Sequence, residues 1–229
     1  MATSLGGGAH PSYVCNLPAD VAAGDLLIVG AGSDAALTSF SWPGSWVELA
    51  DIDDASVGLT VGRLIAVGGE TTVTLTGAGT ADNVTCHALR ITAASWHGTT
   101  APEANQQDNG AASEFPDAGA SLDPAGWGTE ASLWIIFLAT HSAATVDAYP
   151  TNYVTNGAHT DQGADGGISS SWREATAASE DPGTWDLSVA TNLSMASVVA
   201  VRPAAVAATA GPLINSTPLK SLVGGGLAR

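Results

Sequence analysis

Positive charge is what this sequence most lacks. Six Lys and Arg stand against 22 Asp and Glu, giving a formal net charge of −16 at pH 7. Affinity for phosphate is built from Lys and Arg, so this balance argues against nucleic acid as a partner. It also disfavours anionic membrane surfaces. Charged residues make up only 12% of the chain, well under the usual quarter. The polarity comes instead from Thr, Ser, Asn and Gly, a composition suited to strands joined by many turns. No window approaches about 18 uninterrupted apolar residues, so no transmembrane helix is expected. The richest run, ASLWIIFLATH (131–141), has the length of a strand. The opening MATSLGGGAHPSY has no basic stretch followed by an apolar core. No secretory signal is therefore expected, and synthesis in a cytoplasm is the default. Cysteine is limited to Cys15 and Cys86. Two buried free thiols are the default reading, with a disulfide as the alternative if the protein ends up outside a cell.

Catalytic motifs are also missing. Nucleophilic catalysis needs a Ser or Cys within reach of a His. The five histidines (His10, His87, His97, His141 and His159) are scattered, and no G-x-S-x-G follows a strand signal. Cys86 and His87 are neighbours in an alternating segment, so their side chains are expected on opposite faces. No paired Cys and His at short spacing suggests zinc. GAGSDA (30–35) and GAGTAD (77–82) do not complete a phosphate-binding loop or open a helix. Asp51, Asp53 and Asp54 form the densest acidic cluster. They lack the downstream Gly and Glu of a calcium loop, so a solvated acidic turn is the preferred reading. Asp161 and Asp165 form a weaker one. No carboxylate pair is placed for glycoside hydrolysis. The expectation is a protein with no enzymatic role, no cofactor and no metal.

What is present is a succession of strand signals separated by turn residues. DLLIVGA (25–31), SWVELA (45–50), GLTVGRLIAV (58–67), TTVTLT (71–76) and NVTCHALRITA (83–93) form one cluster. ASLWIIFLATH, GISSSWREA (167–175), TWDLSVA (184–190) and LSMASVVAVRP (193–203) form a second. In TTVTLT, Val73 and Leu75 face one way and Thr72, Thr74 and Thr76 the other, the period of a half-buried strand. No segment carries a helical stripe with caps. Residues 95–129 read as a long surface connection, with room for one short strand.

The two clusters resemble each other in order. GDLLIVGAGS parallels ASLWIIFLATH, and SWPGSW (41–46) parallels AYPTNY (148–153). GLTVGRLIA parallels GISSSWREA, GGETTVTLT (68–76) parallels ASEDPGTWDLS (178–188), and CHALRIT parallels SVVAVRP. The pattern predicts pseudo-duplicated halves at about 17–94 and 130–203, packed as one antiparallel β-sandwich of jelly-roll type spanning 1–203. Pro43 and Pro150 would set two equivalent turns, with Trp46 and Tyr153 packing inward. Trp42 and Tyr149 are then the candidate glycan contacts, on an alternative reading as a carbohydrate-binding module. Residues 204–229 cannot build a core but carry Leu213, Ile214, Leu219, Leu222, Val223 and Leu227. That fits an extended arm lying on a partner, with a flexible end or a final strand on its own domain as the alternative.

In their order, PADVAAGDLLIVGAGSD, GGETTVTLTGAG, HALRIT, ATHSAATVDAYPTNYV and ATAASEDPGTWDLSVATNLSMASVVAVRPA resemble jelly-roll-type structural proteins of tailed bacteriophage particles. The resemblance covers roughly residues 17–204. It implies a non-enzymatic virion component, made in the host cytoplasm, homo-oligomeric and bound to other virion proteins such as the major capsid or tail proteins. Capsid decoration is the expected place, with a tail or tail-tip position as the alternative.

Overall fold

The structure, a computed structural model, describes residues 2–7, 12–34, 37–54, 56–79, 83–142, 144–155, 160–161, 166–191 and 193–204. Among them the regular structure is entirely β. The N-terminal strands are β1 (Ala2–Gly7), β2 (Ser12–Asn16), β3 (Leu26–Ser33), β4 (Leu37–Ser41), β5 (Val47–Asp53), β6 (Gly58–Ile65), β7 (Thr72–Gly79) and β8 (Asn83–Ile91). The C-terminal strands are β9 (Glu103–Asp108), β10 (Glu130–Thr140), β11 (Val146–Ala148), β12 (Val154–Thr155), β13 (Thr160–Asp161), β14 (Gly167–Ala177), β15 (Asp186–Leu187) and β16 (Ser194–Val201).

These strands form two large and two small antiparallel sheets. One large sheet has the order β1-β8-β3-β6-β5 and the other β12-β14-β10-β16-β9, with β13 beside β14. The small sheets are β2-β7-β4 and β11-β15. The registers of the two halves run in step. Leu26 pairs with Ile65 and Ile91 in the first, and Leu133 pairs with Glu174 and Val201 in the second. Val47 lies opposite Arg63, and Val154 opposite Trp172. Ser41 lies opposite Thr76, and Ala148 opposite Asp186.

Burial explains why the strand sequences differ in pattern. β3 reads LLIVGAGS without polar alternation because every residue in it is buried. Leu27, Val29 and Ala31 pack under the small sheet with Tyr13, Phe40, Val73 and Leu75. Leu26 and Ile28 face the other large sheet, among Ile135, Phe137, Met195 and Val199. β10 repeats this division: Ile135, Phe137 and Ala139 face β3's sheet, while Trp134, Ile136 and Leu138 pack with Trp185 and Leu187. The two large sheets thus meet face to face, as expected of a sandwich, and each also has a small sheet on its outer side. The outer layers correct the expectation of two sheets alone. A central strand buried on both faces needs cover on both.

β7 keeps the predicted alternation, with Val73 and Leu75 buried and Thr72, Thr74 and Thr76 exposed. The turn before it uses Gly68 and Gly69 at φ 103° and 86°, a conformation open to glycine. The Glu70 carboxylate accepts from the Val67 and Gly68 amides at 2.7 and 3.0 Å and closes that turn. The 95–129 connection contributes β9, which edges the second large sheet beside β16. Edge strands are unattractive to further strands: β5 carries Glu48, Asp51 and Asp53, and β12 has only two residues.

Cys15 of β2 and Cys86 of β8 form a disulfide. This corrects the default reading of two free thiols. β2 and β8 belong to the two sheets of the first half, so the bond staples that half across its core.

Candidate functional site

The two aromatic corners share a closing hydrogen bond but not a turn type: the left-handed residue is Gly44 (φ 56°) in the first and Asn152 (φ 69°) in the second. The Trp46 amide donates to the Pro43 carbonyl at 3.1 Å, and the Tyr153 amide to the Pro150 carbonyl at 3.0 Å. Pro opens each turn with its φ locked by the ring. The rings then go to packing. Trp42 and Trp46 stack with centroids 5.2 Å apart, and both are half-buried against the first core. A Cβ on Gly62 would lie 2.6 Å from the Trp42 indole, so β6 must have glycine there to admit the ring. Trp42 Nε1 donates to Thr60 Oγ1 at 2.9 Å, and Thr60 donates to the Ala50 carbonyl. Tyr153 is buried. Tyr149 packs on Trp185 at 5.3 Å and accepts from Thr155 Oγ1. The two candidate glycan contacts, Trp42 and Tyr149, sit on separate corners, each half-buried.

Three polar clusters are enclosed in the fold. His87 and Ser170 approach at 2.8 Å between Nδ1 and Oγ, both fully buried where the large sheets meet. The sequence did not bring these two together, since β8 and β14 belong to different halves. A substrate cannot reach them, so the contact ties the sheets and provides no nucleophile. Arg173, itself partly exposed, donates to the buried Glu180 carboxylate in an ion pair. The Tyr153 hydroxyl donates to the other Glu180 oxygen at 3.1 Å, and the Arg173 guanidinium lies 5.2 Å over the Tyr153 ring. Burial, with the Glu180 charge beside it, pushes the Tyr153 hydroxyl well above its ordinary value. Sequence reasoning missed this cluster because a single Glu in ASEDPG has no periodicity to mark it. Asp25 accepts from the Ala22 and Ala93 amides and from Arg90 Nε. The Ala22 amide bond is the largest effect on its carboxyl, which is held below the usual range against the opposing effect of burial.

The acidic cluster lies along edge strand β5. Burial, then the charges of Glu48 and Asp53, push the Asp51 carboxyl up to about 6. Burial also raises Glu48. No group of three or more metal-capable side chains converges among the described residues. Asp165 and the arm residues Leu213, Ile214, Leu219, Leu222, Val223 and Leu227 lie outside the described residues, and for Asp161 only the backbone is described. Among the described residues no helix is long and apolar enough to cross a membrane.

Among the described residues, a groove of about 580 Å³ lies where the rims of the two large sheets meet. Leu89 and Ile91 of β8, Leu133 of β10 and Trp172 of β14 supply its apolar lining. Arg90 and Glu174 supply charge, and Pro203 forms part of the wall. Leu133 and Trp172 are only partly buried, so apolar surface is left uncovered there. Pro203 is held in place by its bridge to Trp96, by the His97 amide donating to the Arg202 carbonyl, and by the Ala204 amide donating to Ser95. No family model, curated protein or solved structure matches this chain.

Proposed function

We propose that this protein is a non-enzymatic structural component of a tailed-phage virion: an externally displayed capsid decoration or accessory protein. In this reading it assembles with itself and with other virion proteins through residues 204–229. The fold reading that goes with it is a pair of jelly-roll-like halves derived from one another. The observation that carries the proposal is the coincidence of the resembling motifs with the strand plan. Asp25, in the stretch PADVAAGDLLIVGAGSD, precedes β3, the Pro43 and Pro150 turns precede β5 and β12, Glu180 pins the segment before β15, and residues 200–203, within the last resembling stretch, close β16.

The pairing supports the roll. β1 pairs with β8, β2 with β7 and β3 with β6, a nested order produced by folding one long antiparallel ribbon over itself. The second half supports its derivation from the same plan: β9-β16-β10-β14-β12 follows β1-β8-β3-β6-β5 strand for strand. The matching registers need no slip within the paired strands. A disulfide fits a particle that works outside its host. The strongly acidic surface keeps many displayed copies soluble.

Fractionation of particles tests the reading. Heads and tails of the phage that encodes the chain are separated on a gradient and probed with an antibody to it. Co-sedimentation with heads is the expected result. Recovery with tails assigns the alternative position, and absence from both fractions overturns the virion reading.

A further inference from the structure

The geometry points to the groove lined by Leu89, Ile91, Leu133 and Trp172 as the seat of the apolar C-terminal segment of a second copy of this chain. This inference rests on the reading of residues 204–229 as an assembly arm and names the surface that receives it.

Three observations converge. The first is apolar complementarity. The groove presents Leu133 and Trp172 partly uncovered beside buried Leu89 and Ile91. The arm carries Leu213, Ile214, Leu219, Leu222, Val223 and Leu227, apolar side chains that gain by leaving water. The second is charge. Residues 205–229 contain Lys220 and Arg229 and no Asp or Glu, so all 22 carboxylates of the chain face only four arginines in the remainder. Three of those four, Arg90, Arg173 and Arg202, are already paired, with Asp25, Glu180 and Glu130. The body is therefore an acidic surface short of cations, with exposed Glu174 at the groove. The arm is the one cationic segment available to it. The third is the point of departure. The chain leaves from the groove wall at Pro203, held there by the bridge to Trp96. The nine residues from Ala204 to Pro212 reach about 30 Å when extended, enough to cross to a neighbour. Exchange of arms between copies then covers the apolar groove of each.

Single-cysteine variants of the full chain test this, because the chain's two cysteines are already joined to each other. A chain with Glu174→Cys is mixed with chains carrying Leu213→Cys, Leu219→Cys, Leu222→Cys or Leu227→Cys, and a short bifunctional thiol crosslinker is added. The expected product is a covalent pair of unlike chains from at least one combination. Leu219→Asp with Leu222→Asp, placed in the arm where the sheets are untouched, should weaken self-association in sedimentation by tenfold or more. Crosslinking confined to a single chain in the Glu174→Cys/Leu219→Cys double variant would mean that the arm seats on its own body, and overturns the second-copy proposal. Arm-dependent association without any crosslink at Glu174 overturns the groove as the seat and leaves the arm reading standing. A chain that is monomeric throughout and uncrosslinked overturns the proposal, while the virion reading is still decided by the particle gradient.

Discussion

Gly30 of β3 lies directly under the ring of Phe137 of β10, at the centre of the contact between the two large sheets. Any Cβ on residue 30 would enter the ring. The two residues occupy corresponding places in the registers: Gly30 pairs with Val61 and His87, Phe137 with Ser170 and Ser197. Two steps along, Gly32 meets Ala139 in the same way, at 2.9 Å from a Cβ on residue 32. At Gly30 and Phe137 the space between the two large sheets is filled by a small residue on one strand and a large one on the other. Gly30→Ala should destabilise the fold by about 1–3 kcal/mol through overpacking. Adding Phe137→Leu should recover part of the loss. Equilibrium urea unfolding of the single and double variants checks both, and additive losses would mean the two sites do not share this space.

The Cys15–Cys86 bond closes a loop with a sequence separation of 71 between two sheets. Constraint of the unfolded chain by a loop of that size is worth about 4 kcal/mol in the chain-entropy model. Cys15→Ala with Cys86→Ala, or reduction of the native chain, should lower stability by roughly that amount. Both cysteines are buried, so the reductant should act slowly until the first half opens. Thermal unfolding with and without dithiothreitol measures the effect. An unchanged midpoint would remove the disulfide as a stabilising element.

Legibility of the fold followed burial. β3, β10 and β16 are buried on both faces and were plain as apolar runs; β7 is buried on one face and was plain as an alternation. β9, with the sequence EANQQD, is an edge strand with no fully buried side chain, and no apolar period betrays it. β2 has only Tyr13 and Cys15 pointing inward, too short a pattern to read. The corner turns at Pro43 and Pro150 were visible because proline sets them locally. The placement of Trp42 was not, because it depends on Gly62 in a strand 20 positions away. The His87–Ser170 contact, the groove and the disulfide all join segments distant in the chain, and nothing in local sequence carries such pairings.

Arg173, Glu180 and Tyr153 form a buried unit whose value depends on completeness. Glu180 is 4% exposed, and among the described residues its ion pair is with Arg173. Arg173→Met keeps the packing on Tyr153 and strands the carboxylate, which should cost about 3–5 kcal/mol at neutral pH. Arg173→Met combined with Glu180→Gln removes both charges and should regain most of that loss. Tyr153→Phe removes one hydrogen bond of two and should cost about 1 kcal/mol. Guanidinium unfolding of the three variants separates the charge effect from the packing effect. Equal losses in the first two would assign the whole effect to packing.

Asp51 gives the fold a pH dependence of defined sign. Burial, Glu48 and Asp53 hold its folded carboxyl at about 6, against 3.8 ordinarily. The folded chain therefore binds its proton more tightly than the unfolded chain, and stability falls as pH rises from about 4 to about 6. Above that range Asp51 is charged in both states and its full destabilising effect remains. Asp51→Asn should accordingly raise the unfolding midpoint at pH 7 and leave it nearly unchanged at pH 4. The gain will be reduced by solvent screening at this half-buried edge position. Asp25 acts in the opposite sense: its lowered carboxyl stabilises the fold above the ordinary carboxylate range and loses that effect only in stronger acid. The two variants Asp51→Asn and Asp25→Asn should thus move the pH 7 midpoint in opposite directions. Thermal unfolding across pH 3–8 measures both, and a gain from Asp51→Asn that persists at pH 4 would show that charge on Asp51 is not the cause.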